Sequence, residues 1–336
     1  MSSNNLLFCS AGRRVRLLMN ARETIGKSGS LIMATDLSAL APALAVADKS
    51  FLVPPITDPG YIDAVLKICR ENNVKAITTL IDPEIAILSA NADRFREIGV
   101  LPLIPDVESA KYCFNKYELY KYATAKGIAM PLTFHDLDLF KAALNRGKIS
   151  MPVFMKPVNG SGSVGAHRAD TLEQVEKDWY SGDFDYIIQE FIPEGDCDAD
   201  VYVDTISHRA VAAFTKRKIE TRIGGANKTI SFKDPVLFAF IRQICDCFAF
   251  SGPLDIDFFF HNGKYYLSEI NPRFGGAYLH AYGANVNFFK LIDNNINGIE
   301  NAEQIGDYED DLIMMMYDDV IFTRRSELLD PDVHVL

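Results

Sequence analysis

Over the first hundred residues, short β-rich runs alternate with helical patterns, and that alternation limits the chain to few folds. Asn5–Ser10 reads as a strand, Arg14–Ile25 as a helix and Ser30–Thr35 as a second strand. Tyr61–Asn72 is helical, Val74–Thr79 a strand and Glu84–Ile98 helical again. Such a sequence builds βαβ units and a parallel sheet. Ligands of parallel sheets lie beyond the carboxyl ends of the strands, which directs attention to Ser10–Arg14, the stretch after Asp36 and Leu80–Glu84.

The pattern then changes. Val107–Lys126 and Pro235–Phe250 read as helices, and Val153–Pro157 as a strand leading into Asn159–Gly165. Ile187–Phe191, Ala199–Thr205 and Ala210–Thr215 read as strands of a further sheet. Leu254–Phe260 and Tyr265–Ile270 are strands joined by His261–Lys264, whose Asn-Gly pair is a hairpin signal. The expected fold class is α/β followed by α+β, and 336 residues exceed what one core usually serves. The expected division is 1–108, 109–186 and 187–336.

Lys and Arg number 34 against 45 Asp and Glu, a net charge of −11, which argues against nucleic-acid or anionic-membrane partners. The six cysteines and six histidines show no zinc spacing, so buried reduced thiols are expected. The apolar run Leu6–Phe8 is too short for a signal peptide, and Val236–Phe250 carries Arg242, Gln243 and Asp246. A soluble, cytoplasmic protein is expected, with a homodimer as the default assembly.

Three segments carry chemistry. Lys156 precedes Asn159-Gly160-Ser161-Gly162-Ser163-Val164-Gly165, in which glycines let backbone amides approach an anion, although an ordinary turn would read alike. Ile187–Pro193 is a short strand in which Glu190 could meet an adenine amino group, or simply cap a solvated edge. Most specific is Asp257, followed by Glu269-Ile270-Asn271-Pro272-Arg273-Phe274-Gly275-Gly276. Glu269 and Asn271 share one strand face, and with Asp257 they form the oxygen-rich site that Mg²⁺ prefers, nucleotide phosphates completing its shell. Arg273 can hold a phosphate or carboxylate in its fork.

In order and spacing, Lys116, Lys156 with the glycine run, Gln189-Glu190-Phe191-Ile192 and Asp257…Glu269-x-Asn271-x-Arg273 resemble the ATP-grasp superfamily. Within it the chain is similar to single-module relatives of the carbamoyl-phosphate synthase large subunit, over roughly residues 5–320. The resemblance implies an N-terminal parallel-sheet (pre-ATP-grasp) domain and two α+β lobes that clasp ATP. It implies that Lys116 and Lys156 bind phosphates and that the Gly160–Gly165 loop, with Ser161, Gly162 and Ser163, closes as a lid. Gln189, Glu190, Phe191 and Ile192 would hold adenine, and Asp196 would stand in for a ribose-binding Glu. Asp257, Glu269 and Asn271 would hold Mg²⁺, the first departing from the Glu or Gln of many relatives.

Arg222 and Lys228, in the basic loop Lys216–Lys228, resemble the segment over the triphosphate, and Arg222 is a candidate catalytic cation. Arg13 or Arg14 can hold an anionic substrate at a helix N-terminus. Glu84 can meet the amine, or only complement a helix dipole. The expected activity is an ADP-forming carboxylate–amine ligase that uses MgATP and an acyl phosphate. Its rivals are a module phosphorylating bicarbonate or carbamate and an ATP-binding sensor without turnover. A nicotinamide enzyme is excluded by the missing glycines after Gly12.

Overall fold

The computed structural model describes residues 3–160, 162–222 and 225–330; Ser161, a proposed phosphate ligand, lies outside them. The N-terminal region runs β1 (Asn5–Cys9), α1 (Val15–Thr24), β2 (Ile32–Asp36), β3 (Lys49–Leu52), α2 (Tyr61–Glu71), β4 (Val74–Thr79), α3 (Asp82–Ala90), α4 (Ala92–Glu97) and β5 (Leu101–Pro102). Its five strands are parallel in the order β3-β2-β1-β4-β5. Strand alternation divides the interior. Leu7, Cys9, Met33 and Ile77 pack with Tyr61, Val65 and Phe95 of their own domain. Leu6, Phe8, Ile32 and Ala34 join a second core that includes Phe274, Tyr278, Phe288 and Phe289, residues from the far end of the chain.

Two helices follow, α5 (Val107–Phe114) and α6 (Lys116–Ala125), where the sequence suggests one. The break falls at Asn115, whose side chain accepts hydrogen bonds from the Tyr117 and Glu118 amides and so caps α6. It makes Lys116 the first residue of α6. The next elements are β6 (Thr133–Phe134), α7 (Leu137–Asn145), β7 (Val153–Pro157), β8 (His167–Ala169), α8 (Leu172–Ser181) and β9 (Tyr186–Glu190). They form a lobe around an antiparallel sheet ordered β6-β9-β7-β8. The strand expected to open a new sheet is therefore internal to this one, and the small lobe reaches Glu190 where a boundary at 186 was expected.

The last lobe contains β10 (Asp196–Val203), β11 (Ala210–Arg222), β12 (Gly225–Ser231), α9 (Pro235–Cys245), β13 (Gly252–His261), β14 (Lys264–Asn271), α10 (Tyr278–Gly283), α11 (Phe288–Ile296) and β15 (Ile313–Met315). Its sheet order is β14-β13-β10-β11-β12-β15, all antiparallel. The helix begun at Pro235 stops at Cys245, five residues short of the sequence expectation. Within Lys216–Lys228, expected as a loop, Lys216–Arg222 and Gly225–Lys228 lie on two paired strands. The β13–β14 turn is as expected, with Asn262 and Gly263 both at positive φ (51° and 75°).

One irregularity in this sheet aims the acidic side chains. On β14, Tyr265 and Leu267 point into the core, and uninterrupted alternation would send Glu269 there too. The pairing shifts between Asp257 and Phe258, where Phe258 opposes Leu267 and Asp257 opposes Glu269, leaving Ser268 as an extra residue. This β-bulge exchanges the two faces of the strand. Ile270 becomes the core residue, and Glu269 and Asn271 face outward with Asp257.

The six cysteines are free thiols, five of them buried. Among the described residues no helix is long and apolar enough to cross a membrane.

Candidate active site

Asp196, Asp198 and Asp200 recur at every second position of β10, as do Asp255 and Asp257 on β13 and Glu269 and Asn271 on β14. The register sets them in rows. Asp198 opposes Asp257, which opposes Glu269, and one step along Asp200 opposes Asp255, which opposes Asn271. The result is a ladder of six carboxylates and one amide on one sheet face. It floors a cleft of about 840 Å³ lined by all three regions of the chain.

Lysines from β11 enter the same face. Lys216 is fully buried and pairs with Asp198 and with Asp200, the latter at 2.6 Å. Lys218 reaches Asp257 at 2.6 Å and Asp196 at 2.9 Å. Arg217, between them, turns to the opposite face and stacks on Phe232, 4.2 Å from its centroid. Burial still dominates the acids: it pushes Asp198 and Asp200 up to about 6 although Lys216 opposes it. Asp255 is pushed up to about 7 by burial, reinforced by the charge of Asp257.

The phosphate-directed lysines stand over this ladder. The Lys116 ammonium donates to the Gly160 carbonyl at 2.6 Å and lies 3.4 Å from a Glu269 oxygen. Lys156 projects from β7 beside Phe154, is 7% exposed and makes no hydrogen bond or ion pair among the described residues. Burial lowers its pKa to about 8, Glu269 opposing the shift and Lys116 adding to it. A desolvated ammonium without an anion is costly unless one arrives. The lining residues Gly160, Gly162 and Ser163 all hold positive φ, so backbone amides can turn toward an anion.

Other expected residues are placed differently. Glu190 and Phe191 line the cleft with Phe154 and Ile192, forming a slot with an aromatic wall. The Glu190 carboxylate already accepts from the Leu132 amide at 3.2 Å, and the Gln189 amide is spent on Thr133 at 2.9 Å. Asp196 is at the cleft but held by Lys218. Arg222, the candidate catalytic cation, is exposed, pairs with Asp318 at 2.9 Å and is absent from the lining. Lys228 pairs with Glu220 at 2.7 Å in the same exposed region. Glu84 does not present itself to an amine. It is fully buried, bonded to Thr79 at 2.6 Å and to the Tyr61 hydroxyl, and burial raises its pKa.

Arg13 is exposed, whereas Arg14 lines the cleft and donates to the carbonyls of Phe274 and Gly275. Burial and then the charge of Arg273 bring its pKa down to about 10. Arg273 sits at the same end, its Nε donating to Asp82 at 2.7 Å. Gly275 lets the chain pass close to the ladder: a Cβ there would stand 2.7 Å from Asp200 Oδ1 and 2.8 Å from Asp255 Oδ1, so both carboxylates would have to shift. Asp255, Lys218 and Asp82 are site residues that sequence reasoning misses. The first two carry a signal, the two-residue spacing of acids on β10 and β13 and of Lys216 and Lys218 on β11.

Among the described residues no three His, Cys, Asp or Glu side chains converge on a metal site by themselves. The fit to Mg²⁺ rests on the donor set instead. Two carboxylates, Asp257 and Glu269, stand opposite one another in register with Asn271 beside them, and Lys218 and Lys116 lie against those carboxylates. A cation held by one or two carboxylates and completed by nucleotide phosphates needs no more.

This combination, a parallel-sheet domain, a small antiparallel lobe and a larger lobe with an acid ladder beneath buried lysines, defines a nucleotide-clasping enzyme. Residues 6–104 match the PylC-like N-terminal domain and residues 113–277 the ATP-grasp domain. The chain thus carries an ATP-grasp domain, the domain of ATP-dependent, ADP-forming ligases. It is 23% identical over 302 residues to the formate-dependent phosphoribosylglycinamide formyltransferase of Methylococcus capsulatus, spanning 77% of this chain and 69% of that protein. Its fold is shared with biotin carboxylase from Campylobacter jejuni (TM-score 0.70, 14% identity, 88% of this chain and 71% of that one). It is shared also with an L-amino acid ligase from Bacillus licheniformis (TM-score 0.67, 16% identity, 90% and 76%).

Proposed function

We propose that the chain is a carboxylate–amine ligase that activates its carboxylate as an acyl phosphate. The observation that carries this reading is Lys156, a buried cation beside the acid ladder with no partner among the described residues. The aromatic slot of Phe154 and Phe191 suits adenine. It sets the triphosphate across Lys116 and Lys156 toward Glu269, Asn271 and Arg273. Charge is thus gathered at the γ-phosphate, which suits its transfer in line, whereas adenylation would need that focus at the α-phosphate.

A substrate carboxylate oxygen attacks the γ-phosphorus, the bond to the β-bridging oxygen breaks, and ADP leaves. Lys156 neutralises the transferring group and Lys116 fixes the loop at Gly160. Mg²⁺, for which Asp257, Glu269 and Asn271 are the fitting ligands, would add charge neutralisation at the phosphates. An amine then attacks the acyl carbon, the carbon–oxygen bond to phosphate breaks, and the amine gives up a proton. A loop closed over the cleft keeps water from the intermediate.

Oxygen-18 in the substrate carboxylate tests the order of events. Label is expected in inorganic phosphate, with ADP as the nucleotide product. Label in AMP would overturn the acyl-phosphate route, and ADP without label transfer would point to phosphorylation of some other group.

A further inference from the structure

The arginine that should receive the substrate is already engaged. Arg273 Nε donates to Asp82 Oδ1 at 2.7 Å, and Nη2 donates to Asp82 Oδ2 at 3.2 Å. Its Nη1 donates to the Phe274 carbonyl at 3.0 Å and lies 3.7 Å from Asp255 Oδ2. Asp82 comes from the other domain, as the first residue of α3, and both side chains line the cleft at 14% and 18% exposure. A carboxylate across both arms of a guanidinium is the geometry a substrate carboxylate would adopt there. Arg14 stands beside this pair, fixed by two carbonyls, and feels Asp82, Asp255 and Arg273 together.

Building on the ligase reading, we propose that Asp82 is a resident surrogate for the substrate carboxylate, and that the substrate is a zwitterionic α-amino acid. The substrate carboxylate takes the fork of Arg273, and Asp82, released beside it, receives the substrate's ammonium group. Charge decides between candidate acids. Arg273 already holds Asp82 across its fork, so its charge is matched before anything binds. A simple carboxylate adds one negative charge and leaves Asp82 partly buried with no cation, which is the expensive outcome. A second carboxylate on the substrate makes it worse. A zwitterion adds no net charge and brings the cation that Asp82 has lost. An ammonium held against a carboxylate also keeps its proton, so the activated amino acid does not attack its own kind. The acceptor amine is then a different molecule.

The test uses the full chain with MgATP and hydroxylamine, which traps acyl phosphates as hydroxamates while ADP is counted. Each protein L-amino acid is compared with its deamino counterpart, for example alanine with propionate and leucine with 4-methylpentanoate. We expect ADP and hydroxamate from at least one amino acid, with its deamino counterpart poorer in kcat/KM by about tenfold or more. Asp82→Asn should cut kcat/KM for the amino acid on the order of ten- to a hundredfold and leave the deamino acid no worse, so that the preference collapses. Deamino acids activated as well as amino acids would overturn the proposal. An equal loss for both in the Asn variant would do so too, leaving Asp82 as a pin between domains. The wild-type comparison decides the matter even if that variant fails to fold. If no acid of either kind yields ADP, the ligase reading itself falls, and this inference with it.

Discussion

Lys156 shows how far one side chain can be followed from sequence to behaviour. Its place before a glycine-rich run is readable, but its burial is not, because that depends on Phe154 and the lobe opposite. Replacing it by Ala removes a fixed cation from the transferring phosphate, and a loss of about 10²–10³ in kcat is expected. Titration gives a second check. Burial holds its pKa near 8, below the ordinary lysine value, so the charged form costs stability in the free protein. That cost is present below about 8 and relieved as pH rises toward about 10.4. Nucleotide affinity moves the other way, since a neutral amine offers nothing to a phosphate. ADP titrations across pH 7 to 9.5 should show affinity falling above about 8 in the wild type. The fall should be absent in Lys156→Met, and the same slope in both would assign it to another group.

At the scale of elements, periodicity reveals more than composition does. Two-residue spacing of acids and lysines on β10, β11 and β13 encodes the ladder, yet Lys216-Arg217-Lys218 reads as an exposed basic loop. A run of three cations resembles a solvated stretch until its neighbours in space are known. The Asn-Gly turn is legible because its conformation is local. Partners of the Arg222 and Glu84 kind are not, since Asp318 and Tyr61 are brought by tertiary structure. The bulge at Ser268 gives the sharpest element-scale expectation. Ser268→Ala keeps the residue count and should leave the fold intact. Deleting Ser268 makes Glu269 the direct strand neighbour of Leu267, so simple alternation keeps Leu267 and Ile270 in the core and Glu269 and Asn271 on the cleft face. We expect a folded protein that still turns over ATP, read as ADP release. A deletion variant that fails to fold would show that the bulge does more than set which face Glu269 takes.

At the scale of the whole molecule, the N-terminal domain and the grasp lobe are joined by polar and apolar means at once. Arg273 meets Asp82 and Arg14 meets the 274–275 carbonyls, directly above a core in which Phe8 packs against Phe274 and Phe289 at centroid distances of 6.2 and 6.4 Å. An interface with buried aromatics on both sides does not behave as a hinge. A single cooperative thermal transition is expected by calorimetry, and two resolved transitions would contradict it. Motion on nucleotide binding is then assigned to the small lobe carrying the glycine loop.

That shared core has a consequence for the ancestry of the chain. Family comparison divides the sequence near residue 104, as though two portable pieces had been spliced. The alternate residues of β1 and β2 say otherwise, for Leu6, Phe8, Ile32 and Ala34 share one core with α1 of their own domain and with α10, α11 and the turn before them. A copy of the first piece moved to another gene would arrive with part of that core, the part covered by α10 and α11, bare and adhesive. Inheritance should therefore have kept the two pieces together, and substitutions at Phe8 should be matched across relatives by changes at Phe274 or Phe289.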